Sequence, residues 1–292
     1  MIYDVRHITT YAYSRSVPFA RCILRLQPRD EGGQSVHSSE LGVTPRPAER
    51  DDGICFFGNR MTTLTISKPH RELKVEMRAR VEVRRTPPPF PGLTRNWENV
   101  GALALASASL APDSPAHHLY PSRLVPPVAA VTDYARASFP ALRPVLESAT
   151  ELMGRIRADF TYDPEATEVS TPLEDAFRQR HGVCQDFAHV MIAGLRGLGL
   201  PAAYVSGYIR TVPPPGEKRL EGADASHAWV MLWCGPETGW IGLDPTNDLI
   251  VADDHIITAF GRDYADVSPL DGVVIGPGSQ KIGVAVDVIP VG

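Results

Sequence analysis

Hydrophobic and polar residues alternate along the first third of the chain with the period of a β-strand. From Leu73 to Val83 apolar residues occupy every second position, and charged residues fill most of the others. This alternation is typical of a strand in an antiparallel sheet that has one face in solvent. The first residues, MIYDVRHITTYAYS, have a similar strand-forming character. We therefore predict a β region over residues 1–85.

A helical period follows a proline-rich connector. Residues 86–91, TPPPFP, predict a stiff, extended segment. Helices are predicted over 128–138 and 144–160, and the second has Leu152, Ile156 and Phe160 on its inward face. Runs of β-forming residues predict the strands of a core sheet, which are 202–210, 226–233, 239–244 and a C-terminal strand within 281–288.

The segment around Cys184 predicts two consecutive helices. Thr171 and Glu174 have the spacing of a capping box with Pro172 at the first helical position, so a short helix should begin there. A second helix should begin at or just before Cys184 and end before Pro201. Cys184 would then lie in the first turn, where unpaired N–H groups and the helix dipole favour a thiolate. The alternative is a buried small hydrophobe, as most free cysteines are.

Two polar residues downstream are candidate partners for this thiol. His227 leads an apolar strand, SHAWVMLW, and Asp244 ends the next strand. If these strands pair as a hairpin through residues 234–239, His227 and Asp244 lie roughly opposite each other on one face. A thiol, an imidazole and a carboxylate in series are the groups that nucleophilic thiol catalysis requires. Taken alone, His227 is more simply interpreted as a core histidine. Asp244 precedes a proline and, taken alone, is more simply interpreted as a turn residue.

Composition narrows the class of protein. The chain has 292 residues, enough for two domains, and a net charge of −5, too mild to indicate a nucleic-acid or anionic-membrane partner. No stretch has the roughly 18 apolar residues that span a bilayer, and the N-terminus has no signal-peptide core. Four cysteines in a chain of this length do not form a disulfide scaffold, so we expect reduced thiols and a cytoplasmic location.

Other candidate sites are weaker. Cys184 with His189 and His227 with Cys234 lack the spacing of zinc ligands, and residues 253–255 (Asp-Asp-His) read as a solvated turn. No glycine-rich phosphate loop is present, so neither a cofactor nor a metal is expected. The polar loop 211–224 before His227 is either an ordinary exposed connection or a flap over the thiol.

Several motifs together resemble one known family. GVCQDFAH, LPAAYVSGYI, DASHAW and LDPTND are similar to successive blocks of the bacterial transglutaminase-like family, a branch of the papain-like thiol enzymes. In the N-terminal part, RHITTYAYSRSV, ILRLQPR, Asp52 with the Gly58-Asn59 pair, and ELKVEMRARVEV resemble the partner domain of that family. The resemblance implies an α+β fold, with an N-terminal antiparallel β domain (1–90), a linker (91–110) and a papain-like catalytic core (111–292).

The same resemblance implies a Cys-His-Asp triad of Cys184, His227 and Asp244. The expected reaction is acyl transfer from an amide or peptide bond of a peptide or protein substrate, through a thioester. If water accepts the acyl group, the chain is a cysteine protease or amidase, which is the reaction we favour. If an amine accepts it, the chain is a transglutaminase. A catalytically idle peptide-binding module is the third reading. Gln179 is a candidate oxyanion donor, and the neighbours of the thiol, Gln185 and Asp186, are expected to serve the helix turn or support the triad.

Overall fold

The computed structural model describes residues 1–211 and 225–291. Two four-stranded antiparallel sheets face each other across one hydrophobic core and form a β sandwich. The strand orders are β15-β1-β6-β3 and β14-β2-β5-β4. Their bounds are β1 Ile2–Val17, β2 Phe19–Leu24, β3 Gln34–Thr44, β4 Glu49–Ile54, β5 Arg60–Ile66, β6 His70–Val83, β14 Leu270–Ile275 and β15 Gln280–Pro290.

The alternating pattern of β6 explains how the sandwich is stabilised. Val75, Met77 and Val81 are fully buried, whereas the charged residues between them lie on the outer face. Burial of large aliphatic side chains contributes about 1.5–3 kcal/mol each. The predicted half-solvated strand is therefore confirmed, and it lies between β1 and β3 in its sheet.

The C-terminal strand lies elsewhere than expected. β15 pairs with β1 from Tyr3↔Pro290 to Tyr13↔Gln280, and β14 pairs with β2. The prediction that residues 281–288 join the core sheet is therefore wrong. Strand periodicity fixes which face of a strand is buried but not which neighbour it pairs with. The division at residues 90 and 111 stays a prediction, and the two C-terminal strands, β14 and β15, cross it by pairing with β2 and β1.

Six α-helices accompany the sandwich and the five-stranded core sheet in the part of the chain that the structure describes. They are α1 Trp97–Leu105, α2 Ala129–Arg136, α3 Val145–Asp159, α4 Leu173–Gln179, α5 Cys184–Gly197 and α6 Tyr264–Val267. The predicted helices at 128–138 and 144–160 correspond to α2 and α3, but α1 falls inside the predicted linker. Only Val100 and Ala104 of α1 are buried, so its apolar face is too narrow to give a clear sequence signal. Among the described residues, no helix is long and apolar enough to cross a membrane.

The core sheet has five strands in the order β12-β11-β10-β9-β13. They are β9 Ala202–Ile209, β10 Ala225–Trp233, β11 Trp240–Asp244, β12 Leu249–Ile250 and β13 His255–Gly261, and a separate two-stranded parallel ladder joins β7 Thr161–Tyr162 to β8 His181–Gly182. Helix α5 packs on β9 and β10 and is buried along nearly its whole length. A methyl group on Gly197 would lie 2.0 Å from Thr132 Oγ1, so glycine is needed where α2 crosses α5.

Two amide side chains of the sandwich serve as a partner strand for β13, the edge of the core sheet. Gln34 donates to the Ile257 carbonyl and accepts from the Ile257 N–H, both at 2.8 Å. Asn59 makes the same pair of contacts with the backbone of Phe260, also at 2.8 Å. Both amides are almost fully buried. The edge is thus closed by side chains, which joins the two parts of the protein.

Candidate active site

Cys184 is the first residue of α5 and is half-buried. Val183 is the N-cap residue of this helix, and its N–H donates to Asp186 Oδ2 at 2.8 Å, while Thr167 Oγ1 donates to the same oxygen at 2.7 Å. This is the helix-turn role expected for Asp186. Burial raises the pKa of Asp186, although both hydrogen bonds act in the opposite direction.

The capping box predicted at Thr171 does not form. Pro172 is the N-cap of α4 without a side-chain hydrogen bond, and Thr171 Oγ1 instead accepts from the Glu168 N–H at 2.9 Å. The side chain that returns to its N-cap residue is Asp186, at the start of the next helix. The spacing rule therefore identified the right kind of contact at the wrong helix, because several residues here have cap-forming side chains.

Gln179 and Gln185 have different surroundings. Gln179 ends α4 with an exposed side chain, and its carbonyl oxygen lies 2.7 Å from His181 Nδ1. Gln185 is buried and donates to the Val169 carbonyl at 3.2 Å. Among the described residues, these hydrogen bonds of the two glutamines are not to the thiol.

His227 and Asp244 meet across the predicted hairpin. β10 and β11 pair from Val230↔Leu243 to Trp233↔Trp240, so Asp244 falls diagonal to His227 rather than directly opposite it. Diagonal neighbours on one face are within reach of long side chains. His227 Nε2 lies 2.8 Å from Asp244 Oδ2, and both side chains are buried. The expected proximity is confirmed, with a small shift in register.

The imidazole of His227 contacts both other groups. Its Nε2–H donates to Asp244, which leaves Nδ1 for the thiol side, and Cys184 is also a hydrogen-bond partner of His227. Burial by itself lowers the pKa of His227, but the hydrogen bonds to Asp244 and Cys184 outweigh it and raise the pKa to about 10. The site therefore favours a charged imidazole at neutral pH.

Asp244 is the most constrained group of the site. It is fully buried. Oδ2 accepts from His227, from His255 Nε2 at 3.1 Å and from Asn247 Nδ2 at 2.7 Å. Oδ1 accepts from the backbone N–H groups of Thr246 and Asn247 at 3.0 and 3.2 Å. Burial raises the pKa of this carboxyl, but the donors prevail and hold it well below its usual value.

Sequence reasoning missed His255 and Asn247 as members of this group. Asn247 lies in the LDPTND block that contains Asp244, so its neighbourhood was visible. His255 begins β13 and had been interpreted as part of a solvated turn, yet it is buried. The turn residues Asp253 and Asp254 instead contact the sandwich side of the molecule. No local pattern indicates that the start of β13 reaches the end of β11.

The cluster His227, Asp244 and His255 has the donor types of a zinc site, and its ligand atoms lie within 4.8 Å of one another. The atoms nevertheless point at each other at hydrogen-bond distances. The Asn247 amide nitrogen lies 2.7 Å from Asp244 Oδ2 and 3.3 Å from His227 Nε2, so a donor group occupies the position next to both ligands. The geometry fits a hydrogen-bonded network better than a metal centre.

His189 and the Cys234 thiol lie in the core. His189 is buried beside Tyr204, and its Nε2 accepts from the Tyr264 N–H at 3.2 Å. Burial lowers the pKa of His189 to about 4 and raises that of the Cys234 thiol to about 12. Neither belongs to the cluster of His227, Asp244 and His255. The predicted flap at residues 211–224 lies outside the described residues apart from Thr211.

Comparisons with known proteins show the family of this chain. Residues 3–82 match the bacterial transglutaminase-like N-terminal region, and residues 133–245 match the transglutaminase-like superfamily. An uncharacterised protein of Mycobacterium tuberculosis is 40% identical over 294 residues, which cover 99% of this chain and 92% of the relative. The chain belongs to the bacterial transglutaminase-like family. Both parts of the protein, the sandwich and the core, thus have counterparts in this family.

Two further relatives connect the family to named activities. A provisionally assigned cysteine protease from Cytophaga hutchinsonii has the same fold, with a TM-score of 0.77 and 21% identity over 100% of this chain and 92% of that one. A protein-glutamine gamma-glutamyltransferase from Pseudomonas aeruginosa is 33% identical over 120 residues, which cover 38% of this chain and 18% of the relative. The proteins that this chain resembles thus include one named as a cysteine protease and one named as a protein-glutamine gamma-glutamyltransferase.

Proposed function

We propose that the protein catalyses acyl transfer from amide or peptide bonds of a peptide or protein substrate, with Cys184 as nucleophile. The observation that carries the proposal is the position of His227, which bonds to buried Asp244 and to Cys184 at the start of α5. An imidazole held between a carboxylate and a thiol is the arrangement that activates a sulfur nucleophile.

In the first half-reaction, His227 takes the proton of Cys184 and the thiolate attacks the carbonyl carbon. The C–N bond then breaks, a thioester forms on Cys184, and the departing amine takes the proton from His227 Nδ1. The N–H of Cys184 lies at a helix N-terminus without an intrahelical partner, so it can donate to the oxyanion. Asp244 fixes the tautomer of the imidazole and stabilises its charged form.

In the second half-reaction, water attacks the thioester while His227 takes its proton, and the acid leaves as Cys184 regains the proton. This makes the protein a cysteine protease or amidase, which we favour because water is always present. A transglutaminase is the second candidate, supported by the resemblance to the Pseudomonas aeruginosa protein-glutamine gamma-glutamyltransferase. In that case an amine replaces water as the acceptor.

The cytoplasm is the proposed location. All four cysteines are free thiols. Reducing compartments keep thiols in that state, and a free nucleophilic thiol needs such conditions to remain active. Neither nucleic acid nor a membrane surface is part of the proposal.

Mass spectrometry of a peptide pool that contains both glutamine and lysine residues tests the reaction. We expect shortened or deamidated peptides with the wild type and none with Cys184→Ala, whose melting temperature should be unchanged. Cross-linked peptides would identify a transglutaminase instead. An unaltered pool would count against both reactions.

The rate of labelling by iodoacetamide distinguishes an enzyme from an idle peptide-binding module. Cys55 is the matched internal control because, like Cys184, it is partly exposed. We expect Cys184 to react at least about tenfold faster at pH 7, because thiolate fraction governs the rate. Equal rates would favour the binding module.

A further inference from the structure

We propose that His255 is a positioning residue for the Asp244–His227 pair, and that the β sandwich holds it in place. This inference rests on the proposed function. The observation behind it is a second buried imidazole on the carboxylate. His255 Nε2 lies 3.1 Å from Asp244 Oδ2, the oxygen that also accepts from His227.

The polar contact of the His255 side chain is with Asp244. It is 2% exposed, and its ring packs edge-on against Trp229 with the centroids 5.1 Å apart. Its Nδ1 has no hydrogen-bond partner among the described residues, so Asp244 is the polar contact that offsets the cost of burial. Burial lowers the pKa of His255 despite the carboxylate, so it is a neutral donor through Nε2–H.

A neutral donor on this oxygen restricts the carboxylate without competing for its charge. With Asn247 it forms two lateral contacts on Oδ2, and His227 supplies the third. Loss of one lateral contact would let the carboxylate rotate, and the orientation of His227 depends on it. Hydrogen-bond partners that orient the ligands of metal sites typically change activity by about 10- to 100-fold, and we expect an effect at the lower end of that range here.

The backbone of His255 is held from the sandwich by Arg85, which follows β6. Arg85 Nη1 donates to the carbonyl oxygens of His255 at 2.8 Å and Ala252 at 3.0 Å. The Arg85 N–H donates to Asp253 Oδ1 at 2.9 Å. One residue of the sandwich side therefore bonds to three points of the segment that carries the imidazole.

Two more residues of the sandwich restrain the same segment on either side. Tyr3 donates its hydroxyl to Asp254 Oδ1 at 2.7 Å, just before His255. Gln34 bonds to both backbone groups of Ile257, just after it. The sandwich thus determines where β13 begins, and through His255 it reaches the carboxylate of the candidate triad.

Labelling of Cys184 in the full-length chain tests the role of His255. His255→Phe keeps a ring but removes the donor, and His255→Gln keeps an N–H near the position of Nε2. We expect labelling by iodoacetamide at pH 7 to be about tenfold slower in His255→Phe and close to wild type in His255→Gln. The rates should converge at high pH, because ionisation of the thiol then no longer depends on the imidazole and only the thiolate fraction has changed.

Arg85→Met tests the contribution of the sandwich, and Arg84→Met is its matched control. The Arg84 side chain is 80% exposed and pairs with Glu82 on the surface. We expect Arg85→Met to slow labelling about as much as His255→Phe, and Arg84→Met to have no effect. If His255→Phe lacks a cooperative melting transition, Arg85→Met, which leaves the core side chains in place, carries the test.

The outcomes separate this inference from the proposed function. A fast wild-type thiol with equally fast His255→Phe and Arg85→Met would overturn the role of His255 alone. A His255→Gln protein as slow as His255→Phe would also overturn it, because the donor would then not be what matters. A wild-type Cys184 no faster than Cys55 would overturn the proposed function and this inference with it.

Discussion

Replacement of Asp244 by asparagine removes one charge from the centre of the candidate site at almost constant volume. The carboxylate is fully buried and accepts five hydrogen bonds. An asparagine side chain retains one acceptor oxygen and places an N–H₂ group where the second was. That group faces the Nε2–H of His227, so the imidazole must rotate or change its tautomer.

The expected magnitude follows from the charge state of His227. Its pKa is raised from 6.5 to about 10. At about 1.36 kcal/mol for each unit, this is roughly 5 kcal/mol in favour of the charged ring. Asp244 and Cys184 share that preference. If Asp244 supplies about half of it, its loss lowers the thiolate–imidazolium population by about a hundredfold.

The assay is the rate at which iodoacetamide labels Cys184 at pH 7. We expect Asp244→Asn to be slower by about a hundredfold, with a retained melting transition. Asp248→Asn is the matched control, since it makes the same change of charge at an exposed residue of the adjacent turn. Labelling of Asp244→Asn at the wild-type rate would refute the idea that Asp244 sets the charge of the imidazole.

Three further predictions concern stability in urea. The pKa of His227 is raised in the folded state, so its stabilising effect is complete below pH about 6.5 and is lost as the pH rises towards 10. The pKa of Asp244 is lowered in the folded state, so its stabilising effect is lost in acid. The difference in free energy of unfolding between the wild type and Asp244→Asn should therefore be largest near pH 4–6.5. A difference that does not change with pH would contradict this. Gly182→Ala should cost about 1–3 kcal/mol, because its Cβ would lie 2.5 Å from the carboxylate that caps α5. In Gly32→Ala, where the space is open, a comparable loss would refute the steric argument. Asn59→Ala should cost about 2–4 kcal/mol by leaving two backbone groups of β13 unpaired, and unchanged unfolding would contradict the partner-strand role.

Local patterns were sufficient where neighbours in sequence determine the structure. The start of α5 at Cys184 follows from a helical period ended by glycine and proline, and the burial of Met77 follows from strict alternation. The proximity of His227 and Asp244 followed from one short hairpin, since a tight turn fixes the register of its strands. Each of these inferences spans few residues.

Long-range pairing was not accessible in the same way. The pattern of β15 predicts a strand with one buried face, yet nothing in it distinguishes β1 from the edge of the core sheet as the partner. The capping box predicted at Thr171 fails because its hydroxyl accepts from the Glu168 N–H instead, a contact that the spacing of Thr171 and Glu174 does not reveal.

The amino-acid sequence by itself indicated the family and the α+β class through its motifs, and the resemblance to that family implied the three residues of the candidate triad. Only the tertiary structure decided that His255 reaches Asp244 and that Arg85 and Gln34 hold it there. These contacts join segments far apart in the chain, and their formation depends on how the sandwich and the core sheet pack together.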